Sequence, residues 1–256
     1  MDLKISVITA VYNRIATIRH SVQSLHIQKY PFVEHIVQDG NSTDGTVAAL
    51  QNIANSSMRL FSESDDGIYD AINRAIVRAT GDVIGLMHSD DFFAHDCVLT
   101  MVADAFLDPD VDGVYGDLQY VSAHDPSLVI RYWRAGTYNQ KKLRRGWMPP
   151  HPTLYLRRQV YDEYGLYDTN LGISADYDAM LRYLIKGNIR LAYIPEVLVK
   201  MRVGGASNGS LSHIARKSRQ DLTAIRRNGA GGLGTLALKN LSKIGQFVPK
   251  ESKSAQ

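Results

Sequence analysis

Two adjacent carboxylates, Asp90 and Asp91, stand directly after the short apolar run 83–87. A run of this length predicts a buried strand. In open α/β sheets, ligands bind outside the carboxyl ends of the strands, so we expect the pair to face a cleft. Neighbouring carboxylates repel each other unless a positive charge lies between them, and a hard divalent cation on a diphosphate suits this position. The alternative is that the pair only caps a helix beginning near Ala94.

Two earlier strands bring polar residues to the same edge. Residues 5–11 and 33–38 are β-branched runs, the first followed by Tyr12 and the second by Asp39. Asp39 opens a polar, glycine-bearing loop that leads into an apolar helix. Three consecutive strand–helix units therefore direct polar side chains to one edge of a sheet, which indicates a binding site more strongly than any single unit.

A second acidic pair, Asp176 and Asp178, falls in the first turn of a helix predicted to begin after Ser174 and to run to about residue 186. The helix dipole stabilises carboxylates in that turn, and this accounts for Asp178 without any chemistry. Two residues along a helix correspond to about 200° of rotation, so the two side chains cannot both enter one site.

The elements that must position these residues alternate between strand and helix. Apolar residues recur at helical spacing over 67–80, and Gly81 ends that helix before the strand at 83–87. Further strands are predicted at 58–62, 113–121, 128–133, 151–156, 189–194 and 197–203, and further helices at 94–107 and 157–164. The pattern predicts an α/β fold with a doubly wound, mostly parallel sheet, helices on both faces and a helical basic C-terminal tail.

Composition excludes several classes of protein. The 256 residues are 45% hydrophobic and 21% charged, as in a globular domain with a full core. The single cysteine, Cys97, excludes a disulfide framework and a cysteine-based zinc cluster. Neither a dinucleotide-binding G-x-G-x-x-G after the first strand nor a phosphate-binding P-loop occurs. We find no signal peptide and no apolar stretch of membrane-spanning length, so we expect a cytoplasmic protein.

The segment 135–150 is a basic loop that contains Arg144, Arg145 and Trp147 and leads to His151. Basic residues interleaved with aromatic ones could grip nucleic acid. A mobile lid over phosphates or sugar suits one short cluster better, so we expect lid or acceptor contacts from these four residues and no nucleic-acid partner.

The C-terminal segment is strongly basic. From Ile214 onward there are nine Lys and Arg against two acidic residues, whereas the first 213 residues hold 20 against 24. A basic helix is predicted at 211–228, followed by a glycine-rich break. After the break, apolar residues recur every three or four positions and form a stripe: Leu233, Ala237, Leu241, Ile244 and Val248. Three lysines, Lys239, Lys243 and Lys250, lie off that stripe. The pattern favours a helix lying on an anionic membrane, although a helix docked on its own domain would look similar.

Several ordered motifs resemble those of the family-2 glycosyltransferases, which have the GT-A fold. Residues 7–13 resemble the opening strand and its Tyr-Asn turn, 38–46 the D-G-x-S-x-D-G-T loop, and 89–91 the D-x-D-type metal motif. Residues 67–73 resemble a helix of the subgroup that serves bacterial surface polysaccharides of the O-antigen and colanic-acid type. Residues 175–176 stand where the family has its Glu-Asp pair. The resemblance covers roughly residues 3 to 205.

The resemblance implies a role for each matched residue. Ala10 and Tyr12 would line the base pocket, Asp39 would bind the base (usually uracil), and Asp90 would reach the ribose. Asp91 would hold Mn²⁺ or Mg²⁺ on the diphosphate, and the general base, which deprotonates the acceptor hydroxyl, would be Asp176. The implied domain is a GT-A unit over 1–210, with a nucleotide-binding half at 1–110, an acceptor-binding half at 111–210 and a tail at 211–256.

The implied activity is inverting, metal-dependent transfer of one sugar from a nucleotide-sugar, expected to be a UDP-sugar, to a saccharide acceptor. A lipid-linked acceptor would place the protein peripherally at the inner face of the plasma membrane. The Q-x-x-R-W motif of processive synthases is absent, which favours single transfer. Two positions depart from the family: Ile72 stands where many members have Arg, and Ala175 replaces the Glu of the pair.

Two rival functions stay open. A nucleotide-binding dehydrogenase is disfavoured by the missing glycine fingerprint. A non-catalytic module that binds a sugar-nucleotide or a polyanion would keep the fold, but it would not need Asp176.

Overall fold

The structure is a computed structural model that describes residues 3–203 and 211–242. Its strands are β1 (Ile5–Val11), β2 (Val33–Asp39), β3 (Met58–Ser62), β4 (Val83–Leu86), β5 (Phe92–Phe93), β6 (Gly113–Val121), β7 (Val129–Trp133), β8 (Tyr155–Arg157) and β9 (Leu191–Arg202). Its helices are α1 (Ile18–His26), α2 (Thr46–Ile53), α3 (Ile68–Arg78), α4 (Val98–Ala105), α5 (Gln140–Leu143), α6 (Arg158–Tyr164), α7 (Ala175–Leu181), α8 (Leu211–Arg227) and α9 (Leu233–Ser242).

The strands form one sheet in the order β3-β2-β1-β4-β8-β6-β9-β5, with β7 paired to β6. The pairs β1–β2, β1–β4 and β2–β3 are parallel, as the strand–helix alternation predicts. Beyond β4 the sheet is mixed, because β8 runs antiparallel to both β4 and β6 while β9 is parallel to β6. The predicted α/β fold class is confirmed, and its parallel part is the half that carries Asp39 and the acidic pair.

Helix α3 shows how sequence periodicity builds this half. It begins after Gly67, whose φ of 111° favours glycine, and it buries Ala71, Ile72, Ala75 and Ile76 on one face. These side chains belong to the same core cluster as Ile8 and Ile36 of the sheet. Burial of this apolar stripe fixes the helix on the face of β1 and β2 and directs its N-terminal end toward the carboxyl edge of the strands.

Three predicted boundaries are corrected. The strand expected at 151–156 is a 3₁₀ turn, His151–Thr153, followed by β8, because a Pro at the turn's second position lacks the N–H that a strand ladder needs. The two strands expected at 189–203 are one strand, β9, with its irregularity opposite Gly116 and Asp117. The N-cap residue of helix α4 is Cys97 and not a member of the acidic pair, since β5 lies between the pair and the helix.

The C-terminal helices pack on the rest of the domain. Ala224 and Ile225 of α8 are buried in the core cluster that also contains Ala175 and Tyr177 of α7. Helix α9 turns Thr235 and Lys239 inward, and both are buried. Lys239 lies off the apolar stripe, as the sequence indicates, but it is buried against the domain. Lys243, Ile244, Val248 and Lys250 lie outside the described residues.

Candidate functional site

A cleft of about 530 Å³ opens at the carboxyl ends of β1 and β4. Its walls come from both halves of the sheet and from helices α3 and α8. Five residues singled out from the sequence line it, and they are Ala10, Asp90, Asp91, His151 and Asp176. These positions span more than half of the chain, so the fold gathers them from distant segments into a single cavity.

Asp91 is a buried carboxylate of the cleft whose hydrogen-bonding capacity is not satisfied. Its side chain is fully buried, and neither carboxylate oxygen has a hydrogen-bond partner among the described residues. Burial, followed by the charge of Asp90, raises the pKa of Asp91 well above its usual range, and nearby Arg202 only partly opposes this. A buried carboxylate without partners is costly unless a cation or a proton compensates it.

The donor set around Asp91 fits a divalent cation that the substrate helps to hold. Within residues 3–203 and 211–242 there is no group of three or more His, Cys, Asp or Glu side chains placed to hold a metal. Mg²⁺ is commonly bound through one or two carboxylates together with substrate phosphates and water, and not by an all-protein cage. The two open oxygens of Asp91 are suited to that mode of binding.

The backbone of the acidic turn is held from two sides. Asp91 N donates to His88 O at 3.0 Å, which closes the turn after β4. From β9, Arg202 Nη1 donates to Asp90 O at 2.5 Å, and its guanidinium lies 4.8 Å from the centre of the Phe92 ring. The last strand of the sheet therefore fixes the turn that presents the two carboxylates.

Asp176 reaches the cleft from α7. Asp176 Oδ1 accepts a hydrogen bond from Tyr177 N at 2.7 Å, and the side chain is half-buried. Tyr69 of α3 lies beside it, and burial, followed by the charge of Asp176, raises the pKa of Tyr69 well above its usual range. The hydroxyl of Tyr69 is thus a neutral group next to the carboxylate at physiological pH.

Asp178 points away from the cleft. It is fully buried, and its Oδ1 accepts a hydrogen bond from Asn228 Nδ2 at 2.7 Å. The rotation of about 200° expected for two helical residues is realised, with Asp176 toward the cleft and Asp178 toward α8.

Asp39 and Tyr12 lie outside the cavity. Asp39 is fully buried, and its carboxylate accepts hydrogen bonds from Ser42 N at 2.9 Å, Ser42 Oγ at 2.5 Å and Ser62 Oγ at 2.7 Å. Tyr12 is 58% exposed. A Cβ on Gly40 would lie 2.7 Å from Asp65 Oδ2 and 3.4 Å from Tyr12 Cδ2, so Gly40 keeps open the narrow space between these two side chains.

The basic loop packs away from the cleft. Trp147 Nε1 donates to Ala135 O at 2.9 Å, and its ring lies 5.7 Å from that of Tyr115. Arg144 O accepts from Thr235 Oγ1 of α9 at 3.0 Å. The structure therefore does not bring Arg144, Arg145 or Trp147 to the cavity; from this loop Met148 lines it, and His151 follows.

The cleft also contains polar residues that the sequence did not single out, among them Arg14, Tyr69, His88 and Lys217. Tyr69 lies inside the motif at 67–73 and His88 directly precedes the motif at 89–91, so these motifs were the available signal. Lys217 had no such signal, because it belongs to α8 in the predicted tail. It lies 3.8 Å from Asp221, through Nζ and Oδ1.

Asp221 connects both C-terminal helices to the start of α7. Its Oδ1 accepts from Ser174 Oγ at 2.8 Å, and its Oδ2 lies 2.7 Å from Lys239 Nζ of α9. Lys239 Nζ also lies 3.3 Å from the centre of the Tyr177 ring. This group, Ser174, Tyr177, Asp221 and Lys239, is called the α7 anchor below.

Comparison with known proteins identifies the family. The sequence model described as "Glycosyl transferase family 2" matches residues 6–165. This chain belongs to glycosyl transferase family 2. Among curated relatives, an uncharacterized glycosyltransferase of Mycobacterium tuberculosis (strain H37Rv) is 30% identical over 180 residues, which cover 70% of this chain and 68% of that protein.

Solved structures of glycosyltransferases share the fold of this family-2 chain. A mannosyltransferase from Pyrobaculum calidifontis, in complex with GDP-Man and Mn²⁺, superposes with a TM-score of 0.68 at 19% identity, covering 96% of this chain and 73% of that one. S. aureus TarS, residues 1–349 in complex with UDP-GlcNAc, gives a TM-score of 0.66 at 18% identity and covers 88% and 65%. The GT-A fold expected from the motifs is thereby confirmed.

Proposed function

We propose that this glycosyltransferase moves one sugar from a UDP-sugar to a saccharide acceptor with inversion, using Mn²⁺ or Mg²⁺, in bacterial surface polysaccharide synthesis. The observation that carries the proposal is Asp91, a buried cleft carboxylate with two open oxygens, in the same cavity as Asp176. A non-catalytic binding module would not need Asp176, a second cleft carboxylate that has no role in holding the metal.

The donor diphosphate is assigned to the Asp90–Asp91 end of the cleft. Asp91, with Asp90 beside it, would hold the cation, and when bound the cation would neutralise the departing diphosphate. Arg14, which also lines the cavity, adds a positive charge from the turn after β1. Ile72 is buried in the core, so the phosphate contact made by Arg in many members must come from other residues here.

Asp176 is assigned as the general base. It takes the proton from the acceptor hydroxyl, because that hydroxyl is a weak nucleophile until the proton is removed. Its position on α7, separate from the acidic turn, leaves room for the sugar between base and leaving group. The Tyr69 hydroxyl beside it stays protonated and can donate a hydrogen bond that keeps the carboxylate oriented.

The nucleotide is assigned to the space at Ala10, Tyr12 and Gly40. Among proteins with this fold, TarS is in complex with UDP-GlcNAc and the P. calidifontis enzyme with GDP-Man, so the fold accepts either base. Asp39 shapes the pocket by holding the Ser42 loop and would receive the uracil N–H if that network rearranges. Equal affinity of the protein for GDP and UDP would contradict the uracil assignment.

A lipid-linked acceptor at an anionic membrane surface is part of the proposal. Helix α9 exposes Leu233 by 65%, Leu238 by 47% and Leu241 by 60%, on the side away from the buried Thr235 and Lys239. Each helix in the described part of the chain is too short or too polar to cross a bilayer. An exposed leucine face on a docked helix supports attachment at the membrane interface.

The deciding experiment is hydrolysis and transfer by purified protein with a panel of UDP- and GDP-sugars, with and without Mn²⁺. We expect metal-dependent release of UDP from one UDP-sugar, lost when EDTA is added and restored by Mn²⁺ or Mg²⁺. Metal-independent turnover, or binding of nucleotide-sugars without any turnover in the presence of acceptors, would reject the proposed reaction.

A further inference from the structure

The residue that joins strand β4 to the acidic turn is His88, and its backbone is fixed. Its carbonyl oxygen accepts hydrogen bonds from Ser21 Oγ at 2.9 Å and from Asp91 N at 3.0 Å. The Cα–Cβ direction of His88 is therefore set by the same interactions that shape the acidic turn. The side chain lines the cleft.

The imidazole of His88 has free hydrogen-bonding capacity. Its ring lies 5.9 Å from the ring of His151, measured between centroids, and it makes no hydrogen bond with any group in the described ranges. The ring of His151, by contrast, is held by a 3.0 Å contact between Nε2 and the hydroxyl of Tyr167. The two imidazoles form part of one cleft wall, and His88 is the one whose nitrogens stay available to a ligand.

His88 shares the cavity with both ends of the proposed reaction, because Asp90 and Asp176 also line it. A neutral imidazole has one nitrogen as donor and the other as acceptor. A sugar hydroxyl, which both donates and accepts, complements such a ring.

We infer that His88 hydrogen-bonds a hydroxyl of the sugar being transferred and thereby contributes to the choice of donor sugar. The inference rests on the proposed function, in which the diphosphate lies at the Asp90–Asp91 end of the cleft and Asp176 is the general base. The transferred sugar must lie between the diphosphate and the general base. His88 comes two residues before Asp90 and lines the same cavity as Asp176.

The test separates recognition of the sugar from recognition of the nucleotide. We would measure, by calorimetry with Mn²⁺, the affinity of wild type, His88→Ala and His88→Gln for UDP and for the preferred UDP-sugar. Loss of one hydrogen bond should weaken binding of the UDP-sugar by about 3–10-fold and leave binding of UDP unchanged. The Gln variant, which keeps a donor and an acceptor, should recover part of the affinity. The His88→Ala variant should no longer distinguish UDP-sugars that are epimers at the contacted hydroxyl.

The exposed His124 provides the matched control, since His124→Ala should change neither affinity. Thermal melting of each variant checks that it folds, and the Gln variant carries the test if the Ala variant melts early. Equal weakening for UDP and UDP-sugar, or no change for either, overturns the inference while the proposed function stands. If wild type binds UDP but no nucleotide-sugar, the proposed function fails and the inference fails with it.

Discussion

At the scale of single residues, the cleft combines an unsatisfied carboxylate with one that is held. Asp91 has two oxygens without partners, whereas Asp176 is oriented by Tyr177 N and lies beside Tyr69. Buried groups without partners reduce stability, so their presence in a cleft indicates a function that compensates them. Neutral substitution should therefore have different effects at the two positions. At Asp91 it should stabilise the metal-free protein, whereas at Asp176 its main effect should be on transfer.

For Asp91→Asn, we expect metal-dependent turnover to fall by orders of magnitude while the metal-free protein becomes more stable. The pKa of Asp91 is raised in the folded state, so the native state binds the extra proton and stability falls as pH rises above the usual Asp range. Asn removes this pH-dependent penalty, a gain of about 1–3 kcal/mol at neutral pH. Urea unfolding with EDTA at pH 7 and below pH 4 measures it, and the gain should vanish at the lower pH. A less stable variant at pH 7 would contradict the assignment.

Asp176→Asn should abolish transfer and leave the affinity for the UDP-sugar nearly unchanged, because the base acts in the transition state and not in donor binding. Initial rates and donor Kd would be measured side by side. Asp178→Asn is the matched control, since its amide oxygen can still accept from Asn228. If the Asp178 variant is inactive and the Asp176 variant active, the assignment of Asp176 as the general base is wrong.

At the scale of elements, α7 depends on two helices that follow it in the chain. The α7 anchor joins Ser174 at the start of α7 to Asp221 of α8 and Lys239 of α9, and the Asp221 and Lys239 side chains are 2% and 3% exposed. A glycine on the basic loop completes the contact: a Cβ on Gly146, with φ of 83°, would lie 2.5 Å from Lys239 Cβ. Helix α9 is thus part of the support of the candidate base.

Replacing one charged residue of the α7 anchor should destabilise the protein strongly, whereas replacing both together should destabilise it much less. Lys239→Met leaves the Asp221 charge buried without its main partner, which should lower the free energy of unfolding by about 3–5 kcal/mol. The double variant Asp221→Asn with Lys239→Met should recover a large part of that loss. Urea denaturation of the two single variants and the double variant gives the coupling energy. Lys29→Met, in the exposed pair with Asp96, should cause no measurable change. Additive losses would argue against a coupled pair.

At the scale of the whole molecule, the buried anchor and the exposed leucines lie on opposite sides of α9. The sequence-based expectation posed a choice between docking on the domain and lying on a membrane. The structure shows docking through Thr235 and Lys239, and the exposed Leu233, Leu238 and Leu241 keep the second possibility as a proposal. Deleting residues 229–256 would remove Lys239 from the core, so substitution on the exposed face is the cleaner test.

Replacing Leu233, Leu238 and Leu241 together by Ser should weaken binding to vesicles that contain anionic lipid by at least tenfold, because apolar burial in the interface is lost. Donor hydrolysis in solution should be unchanged. Vesicle co-sedimentation at low and high salt measures the binding, and the residual binding of the variant should be abolished by salt. Leu107→Ser, at a site that is 80% exposed elsewhere, is the control. Unchanged binding of the triple variant would reject α9 as the contact surface.

The sequence by itself determined which strand ends carry polar residues and that those ends share one edge. Strand and helix periods are local, and the parallel strand–helix rule has few exceptions, so Asp39, Asp90 and Asp91 could be assigned to one edge of the sheet. The places of Ala10 and Asp176 in the site were implied only by the resemblance to the family. Helix geometry indicated that Asp176 and Asp178 could not both enter one site, and the resemblance to the family selected Asp176.

Only the tertiary structure decided which of the remaining side chains meet. Lysine is rarely buried, but Lys239 is, because a carboxylate from another helix, Asp221, compensates its charge inside the protein. Trp147 was expected over the cleft, yet a backbone acceptor at Ala135 and the ring of Tyr115 hold it elsewhere. Lys217 enters the cleft because α8 packs against α7. Such pairings join residues far apart in the chain, and local periodicity carries no information about them.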